Sequence, residues 1–182
     1  MKFFKSSLER RYWLYAFIVW VAIFSTLMIG QPLQKFLMDQ QMQAVIFVMG
    51  MGLIGLTIVM HGLKRISSPN EILIWLGMIA VYLMLFLRLG APERSHLIEY
   101  SVLAVFIHKA ITERQGQRQI LRSAFIAFII TAFIGILDEC IQLFLPNRVF
   151  DFNDLLFNLL AVLLAVGGGI SLQWAKKRFI KN

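Results

Sequence analysis

Four carboxylates fall within seventeen positions, between two apolar runs long enough to cross a lipid bilayer. They are Asp138, Glu139, Asp151 and Asp154, and this stretch constrains the chain more than any other. An apolar helix ends in Asp138-Glu139 and Gln142, a Pro146-Asn147-Arg148 turn follows, and the next apolar run opens with Asp151, Asp154 and Asn158. Ionisable groups at membrane depth are costly, so such a cluster reads first as a functional site.

The setting comes from composition. Of the 182 residues, 59% are apolar, above the share usual in a soluble domain. They fall in blocks of about 17–25 residues, the length that spans the hydrocarbon core. The expected fold is an all-α, polytopic membrane helix bundle forming one domain over residues 1–182. The single Cys140 excludes an internal disulfide and a multi-cysteine metal site. The charge of +8 does not point to nucleic acid, because the basic residues sit at span ends, where topology signals belong. The first apolar run has span length and lacks a clear small-residue cleavage site, so no cleavable signal peptide is expected.

Six spans are expected. The first covers Tyr12 to Ile29 and is broken by Gly30-Gln31-Pro32. The second covers about Met42 to Met60, where Gly50, Gly52 and Gly55 permit close helix approach. Ser68-Pro69-Asn70-Glu71 is a capping pattern that starts the third, which ends near Leu87. A break from Arg88 to Arg94 precedes a shorter, more polar helix, Ser95 to Ile111. A basic loop is expected from Thr112 to Arg122, then spans from Phe125 to Leu145 and from Leu155 to Trp174.

With six spans, 14 of the 18 Lys and Arg lie on one side and 4 on the other. If the polar fourth helix did not cross, the split would be 7 against 11. The six-span arrangement obeys the positive-inside rule, which places both termini in the cytoplasm of a multi-pass cell-membrane protein. It also brings Arg94–Tyr100 and Asp138–Asn158 to one face, the outer one.

His96, Glu99 and Tyr100 share a face of the fourth helix, as do Asp138 and Gln142 on the fifth, with Glu139 on the flank. Asp151, Asp154 and Asn158 repeat the pattern if the sixth helix extends back to Asp151. Lipid cannot hydrogen-bond to these stripes, so they are expected to face one another. The candidate acid/base or metal-binding groups are His96, Glu99, Asp138, Glu139 and Asp154. Arg94, Tyr100, Gln142, Arg148, Asp151 and Asn158 are candidate substrate contacts. Carboxylates and amides suit a divalent cation such as magnesium or calcium. His with carboxylates also suits zinc, though no HExxH-type spacing is present. The competing structural readings are that Asp151 and Asp154 cap a helix, that Arg148 pairs with Asp151, and that Asn158 and Gln142 are interhelical glue. His61 and His108 read as interfacial residues on the opposite side, and Cys140 as packing.

Taken together, these residues resemble the VanZ-like family, named for a teicoplanin-resistance protein. The family pattern places a His, Tyr and Leu on one helix, matched here by His96, Tyr100 and Leu103. Its second block is matched by Asp138, Glu139, Gln142, Pro146, Arg148, Asp151, Asp154 and Asn158. The resemblance covers about Arg94 to Ala165 and does not extend into the first three spans. Asn147 stands where Gly is usual, and Asn also tolerates a left-handed turn. Ala161 and Ala165 stand where Gly is common, which implies a slightly looser sixth helix. The resemblance implies a bacterial cell-envelope membrane protein with a link to antibiotic, specifically glycopeptide, resistance in some members, but it supplies no reaction. An enzyme acting on an envelope lipid or glycan carrier, a ligand-binding or transport protein, and a purely structural helix lock all remain open.

Overall fold

A computed structural model describes residues 4–37, 69–88, 91–145 and 150–179. The described residues form five α-helices and no strand: α1 Ser7–Leu37, α2 Pro69–Arg88, α3 Ala91–Gln115, α4 Ile120–Gln142 and α5 Phe152–Phe179. The second span expected at Met42–Met60, with Gly50, Gly52, Gly55 and the adjoining His61, lies outside them. So does the Pro146-Asn147-Arg148 turn.

The most polar helix lies in the centre. Helix α3 packs against α1, α4 and α5, while α2 rests on α5. Leu97, Tyr100, Leu103, Ala104, Ile107 and Ile111 bury one side of α3. His96, Ser101, His108 and Thr112 are buried on it as well. Along α4 the buried positions Ser123, Ala127, Thr131, Gly135, Asp138 and Gln142 recur every three or four residues, one face of a helix. The opposite face shows Leu121, Phe125, Ile129 and Phe133 to the surroundings, with Leu121 at 72% exposure. Polar groups inside and large apolar side chains outside are the reverse of a water-soluble core. Among the described residues, α4 and the Phe152–Ser171 part of α5 are long and apolar enough to cross a membrane.

Helices α1, α2 and α4 run one way and α3 and α5 the other. The start of α1 meets the end of α3: Ser6 Oγ donates to Glu113 Oε1 at 2.9 Å and Arg114 Nη1 to Glu9 Oε1 at 3.4 Å. Glu9 is fully buried there, its carboxylate accepting from Lys5 N at 2.7 Å and its own N–H donating to Ser6 Oγ, a variant of the capping box. The start of α3 meets the end of α4 and the start of α5 at the other end of the bundle. The exposed cations Lys5, Arg10, Arg11, Arg114 and Arg118 gather at the first end.

Several boundaries differ from expectation. Helix α1 runs through Gly30-Gln31-Pro32 to Leu37. A proline N–H is only one lost hydrogen bond, and without competing water the remaining ladder holds the helix together. The polar fourth helix is longer than Ser95–Ile111, since it starts at Ala91 and ends at Gln115. The basic loop expected at Thr112–Arg122 therefore shrinks to Gly116 and a single 3-10 turn, Gln117–Gln119. Gly116 makes this possible: at φ 87° it donates its N–H to Thr112 O at 2.8 Å and closes α3. His108 is buried against Gly169 of α5. Ala161 and Ala165 are buried, and the Ser101 hydroxyl reaches Ala161 O at 3.4 Å, so α5 packs closely on α3 with alanines in place.

Glycine positions test this packing. A Cβ on Gly135 would stand 3.3 Å from both Tyr100 Cε1 and Asn158 Cβ, two fully buried side chains. Gly167 has nothing within 4 Å of such a Cβ. Gly135→Ala should cost about 1–3 kcal/mol by overpacking, whereas Gly167→Ala should be neutral or gain up to about 1 kcal/mol of helix propensity. Melting temperatures of the two variants in detergent check this order.

Candidate functional site

Three helix ends build the site. His96, Glu99 and Tyr100 come from the first turns of α3, Asp138, Glu139 and Gln142 from the last turns of α4, and Asp154 and Asn158 from the start of α5. Tyr100, Asp138, Glu139, Gln142 and Asn158 are essentially inaccessible. His96 and Asp154 form a partly accessible mouth, with side-chain exposures of 11% and 15%. The structure thus brings together residues from three separate stretches of sequence, and it sorts them into two groups.

The first group centres on Asp138. Tyr100 donates its hydroxyl hydrogen to Asp138 Oδ2 at 2.8 Å, an interaction buried on every side. A charged acceptor makes this bond stronger than one between neutral partners. The Tyr100 ring also stacks on His96, with centroids 6.1 Å apart and planes 21° from parallel. Asn158 lies against the same ring and Gly135, and neither atom of its amide has a hydrogen-bond partner among the described residues. Gly135 is what lets Asn158 and Tyr100 close over α4. Glu99, partly buried, is near enough to Asp138 for their charges to repel.

The second group is His96, Glu139 and Asp154. His96 Nε2 lies 3.8 Å from Asp154 Oδ2. Each of the three residues can present one ligand atom, and these atoms lie within 4.8 Å of one another. Gln142 Nε2 donates to Glu139 Oε1 at 3.0 Å, one helical turn away, and holds the carboxylate in place. Sequence spacing had put Glu139 on the flank of α4. The structure buries it completely, because the end of α4 is enclosed by both α3 and α5.

Asp151 is different from its neighbours. It is exposed, precedes the first residue of α5, and accepts the Asn153 N–H at 2.8 Å through Oδ1. That is helix capping, the structural reading that the position of Asp151 also allowed. Arg148 lies outside the described residues, as does the side chain of Arg94, although the Arg94 backbone belongs to α3. Cys140 is a free thiol, half-buried, and takes no part in either group. Two polar contacts gave no signal in the sequence: the Tyr82–Ser101 hydroxyl pair at 3.0 Å and the buried Glu9. Neither a lone Tyr in an apolar helix nor an acid in a first turn stands out by spacing.

The two groups can be separated by substitution. Tyr100→Phe removes a donor to a buried carboxylate oxygen, a cost of about 1–3 kcal/mol. Asp138→Asn keeps an acceptor opposite Tyr100 and should cost less. Thermal unfolding in detergent should rank Tyr100→Phe below Asp138→Asn.

No curated protein and no solved structure matches the chain. The family model described as VanZ/LLP1 matches residues 12–173, so the match extends well beyond the motif-bearing half into the first helix. The motif residues and a match over most of the sequence agree, and the chain belongs to the VanZ/LLP1 family.

Proposed function

We propose that the chain is a six-span, multi-pass protein of the bacterial cell membrane, with both termini in the cytoplasm and the polar pocket at the outer face. There it acts in the cell envelope, on the head group of a lipid or glycan carrier. The helix directions, α1, α2 and α4 against α3 and α5, and the gathering of exposed cations at the end away from the pocket support this sidedness. The apolar outer surface supports lipid as the surrounding medium.

One observation carries the functional reading over a purely structural one. A lock between helices gains from every polar group it satisfies. Here Glu139 Oε2 and both amide atoms of Asn158 are buried without a hydrogen-bond partner among the described residues. Unsatisfied buried groups cost stability, so the arrangement is better suited to receiving a ligand than to holding helices together. The Tyr100–Asp138 bond is the part that a lock would explain. A transport or ligand-binding role uses the same pocket without chemistry, and a flux assay separates it from turnover of a lipid-linked substrate.

The family's name supplies the phenotype to measure, tolerance of teicoplanin-type glycopeptides. In cells where the wild-type chain confers such tolerance or another envelope phenotype, Asp138→Asn and Glu99→Gln should abolish it at unchanged protein levels. Loss of the protein itself, in place of loss of the phenotype alone, would favour the structural lock. Sidedness is checked in a Cys140→Ser background. A thiol at exposed Asn153 should react with an impermeant reagent in intact cells, and one at exposed Arg118 only after permeabilisation.

A further inference from the structure

We propose that His96, Glu139 and Asp154 hold a divalent transition-metal ion where α3, α4 and α5 converge. The inference takes the pocket described above as its setting and gives it a ligand set. The three candidate ligand atoms lie within 4.8 Å of one another. Two ligands bonded at about 2.1 Å to one ion stand no more than about 4.2 Å apart. His96 Nε2 and Asp154 Oδ2, at 3.8 Å, already satisfy that limit. This separation is wide for a direct charge-assisted hydrogen bond, which prefers about 2.7–2.9 Å. It is the span of two groups with an ion between them. The remaining ligand closes by about half an ångström, within side-chain rotation.

Burial points the same way. Glu139 is fully enclosed, and its Oε2 has no hydrogen-bond donor among the described residues. An enclosed carboxylate needs a positive counterpart, and a doubly charged ion balances Glu139 together with Asp154. Gln142 fixes Glu139 through the other oxygen, the arrangement in which an outer partner orients a metal ligand. The amide of fully buried Asn158, one turn along α5 from Asp154 and without a partner among the described residues, offers a further polar group to whatever enters.

Ligand type narrows the ion. An imidazole nitrogen with two carboxylates favours zinc or manganese over magnesium or calcium, which take oxygen almost exclusively. Three protein ligands leave a coordination position open to water or to a phosphate or carboxylate oxygen of a bound molecule. Asp138 stays outside this set because Tyr100 holds it.

The test uses the full chain purified in detergent, stripped by chelator and titrated with Zn²⁺ and Mn²⁺ by calorimetry. The expected result is one ion per chain, with affinity reduced about 100-fold or more in His96→Gln, Glu139→Gln and Asp154→Asn, and about 10-fold or more in Gln142→Ala. Far-UV circular dichroism confirms that each variant is folded. Co²⁺ added to the unaltered chain should give a visible ligand-field absorption that competing Zn²⁺ removes, a readout that does not depend on any variant folding. Absence of stoichiometric binding by the unaltered chain, or equal affinity in folded variants, overturns the proposal. Because neither measurement uses an envelope phenotype, metal binding by a chain that confers no such phenotype would count against the envelope role alone.

Discussion

The structure depends on one constraint: α3 carries polar side chains that only other helices can satisfy. Its buried groups include His96, Ser101, His108 and Thr112, on a helix also lined by Leu97, Leu103, Ala104 and Ile107. Against lipid each of these polar groups would lose hydrogen bonding without compensation. Enclosure by α1, α4 and α5 supplies partners and excludes acyl chains in the same step. The surrounding helices can be apolar on their outer faces because the polar burden is carried inside. The ordering of helices by polarity, most polar at the centre, follows directly.

Small side chains make that enclosure possible. Ala104, Ala127, Ala161 and Ala165 are buried at the contacts around α3, and Gly135 leaves room for Asn158 and Tyr100 to meet. Dispersion contacts drive helix association where the hydrophobic effect does not, and they require close backbones. The same close approach positions the Tyr100 hydroxyl at Asp138. Packing and site geometry are therefore one property. A change that opens the α3–α5 seam would move ligand candidates on both sides of it.

The sequence made the helical class and the membership of the site legible for physical reasons. Charged residues in apolar helices are rare because they are costly, so Asp138 and Glu139 stand out without any structure. Spacing on α4 correctly set Asp138 and Gln142 on a buried face. Spacing could not rank Glu139, because a helix wheel records direction and not how many neighbours enclose a helix. Boundaries were less legible. Gly30 and Pro32 look like breakers by water-based propensity, yet α1 continues through them. Thr112 and Gln115 look like loop residues, yet they extend α3 until Gly116 turns the chain. In each case propensity measured against water misjudges a helix whose alternative is not water.

Asp138 and Glu139 show why adjacent acids need not share a role. Neighbouring residues on an α-helix point about 100° apart. On a helix packed along one side, one of the two would face outward. Both are fully buried here, which requires walls on two sides: α3 with Tyr100 for Asp138, and the junction of α3 with α5, bearing His96 and Asp154, for Glu139. Asp138 receives a hydroxyl and becomes part of the scaffold as well as the site. Glu139 accepts the Gln142 amide on one oxygen, with a backbone contact from Asp151, and turns toward a histidine and another carboxylate. Two negative groups beside one imidazole balance better with an ion among them than without one, because repulsion between enclosed carboxylates is weakly screened. The pair thus divides into an anchored acid and an acid directed at a ligand. That division follows from where α5 begins: capped by Asp151, it sets Asp154 and Asn158 on the inner face, one turn apart.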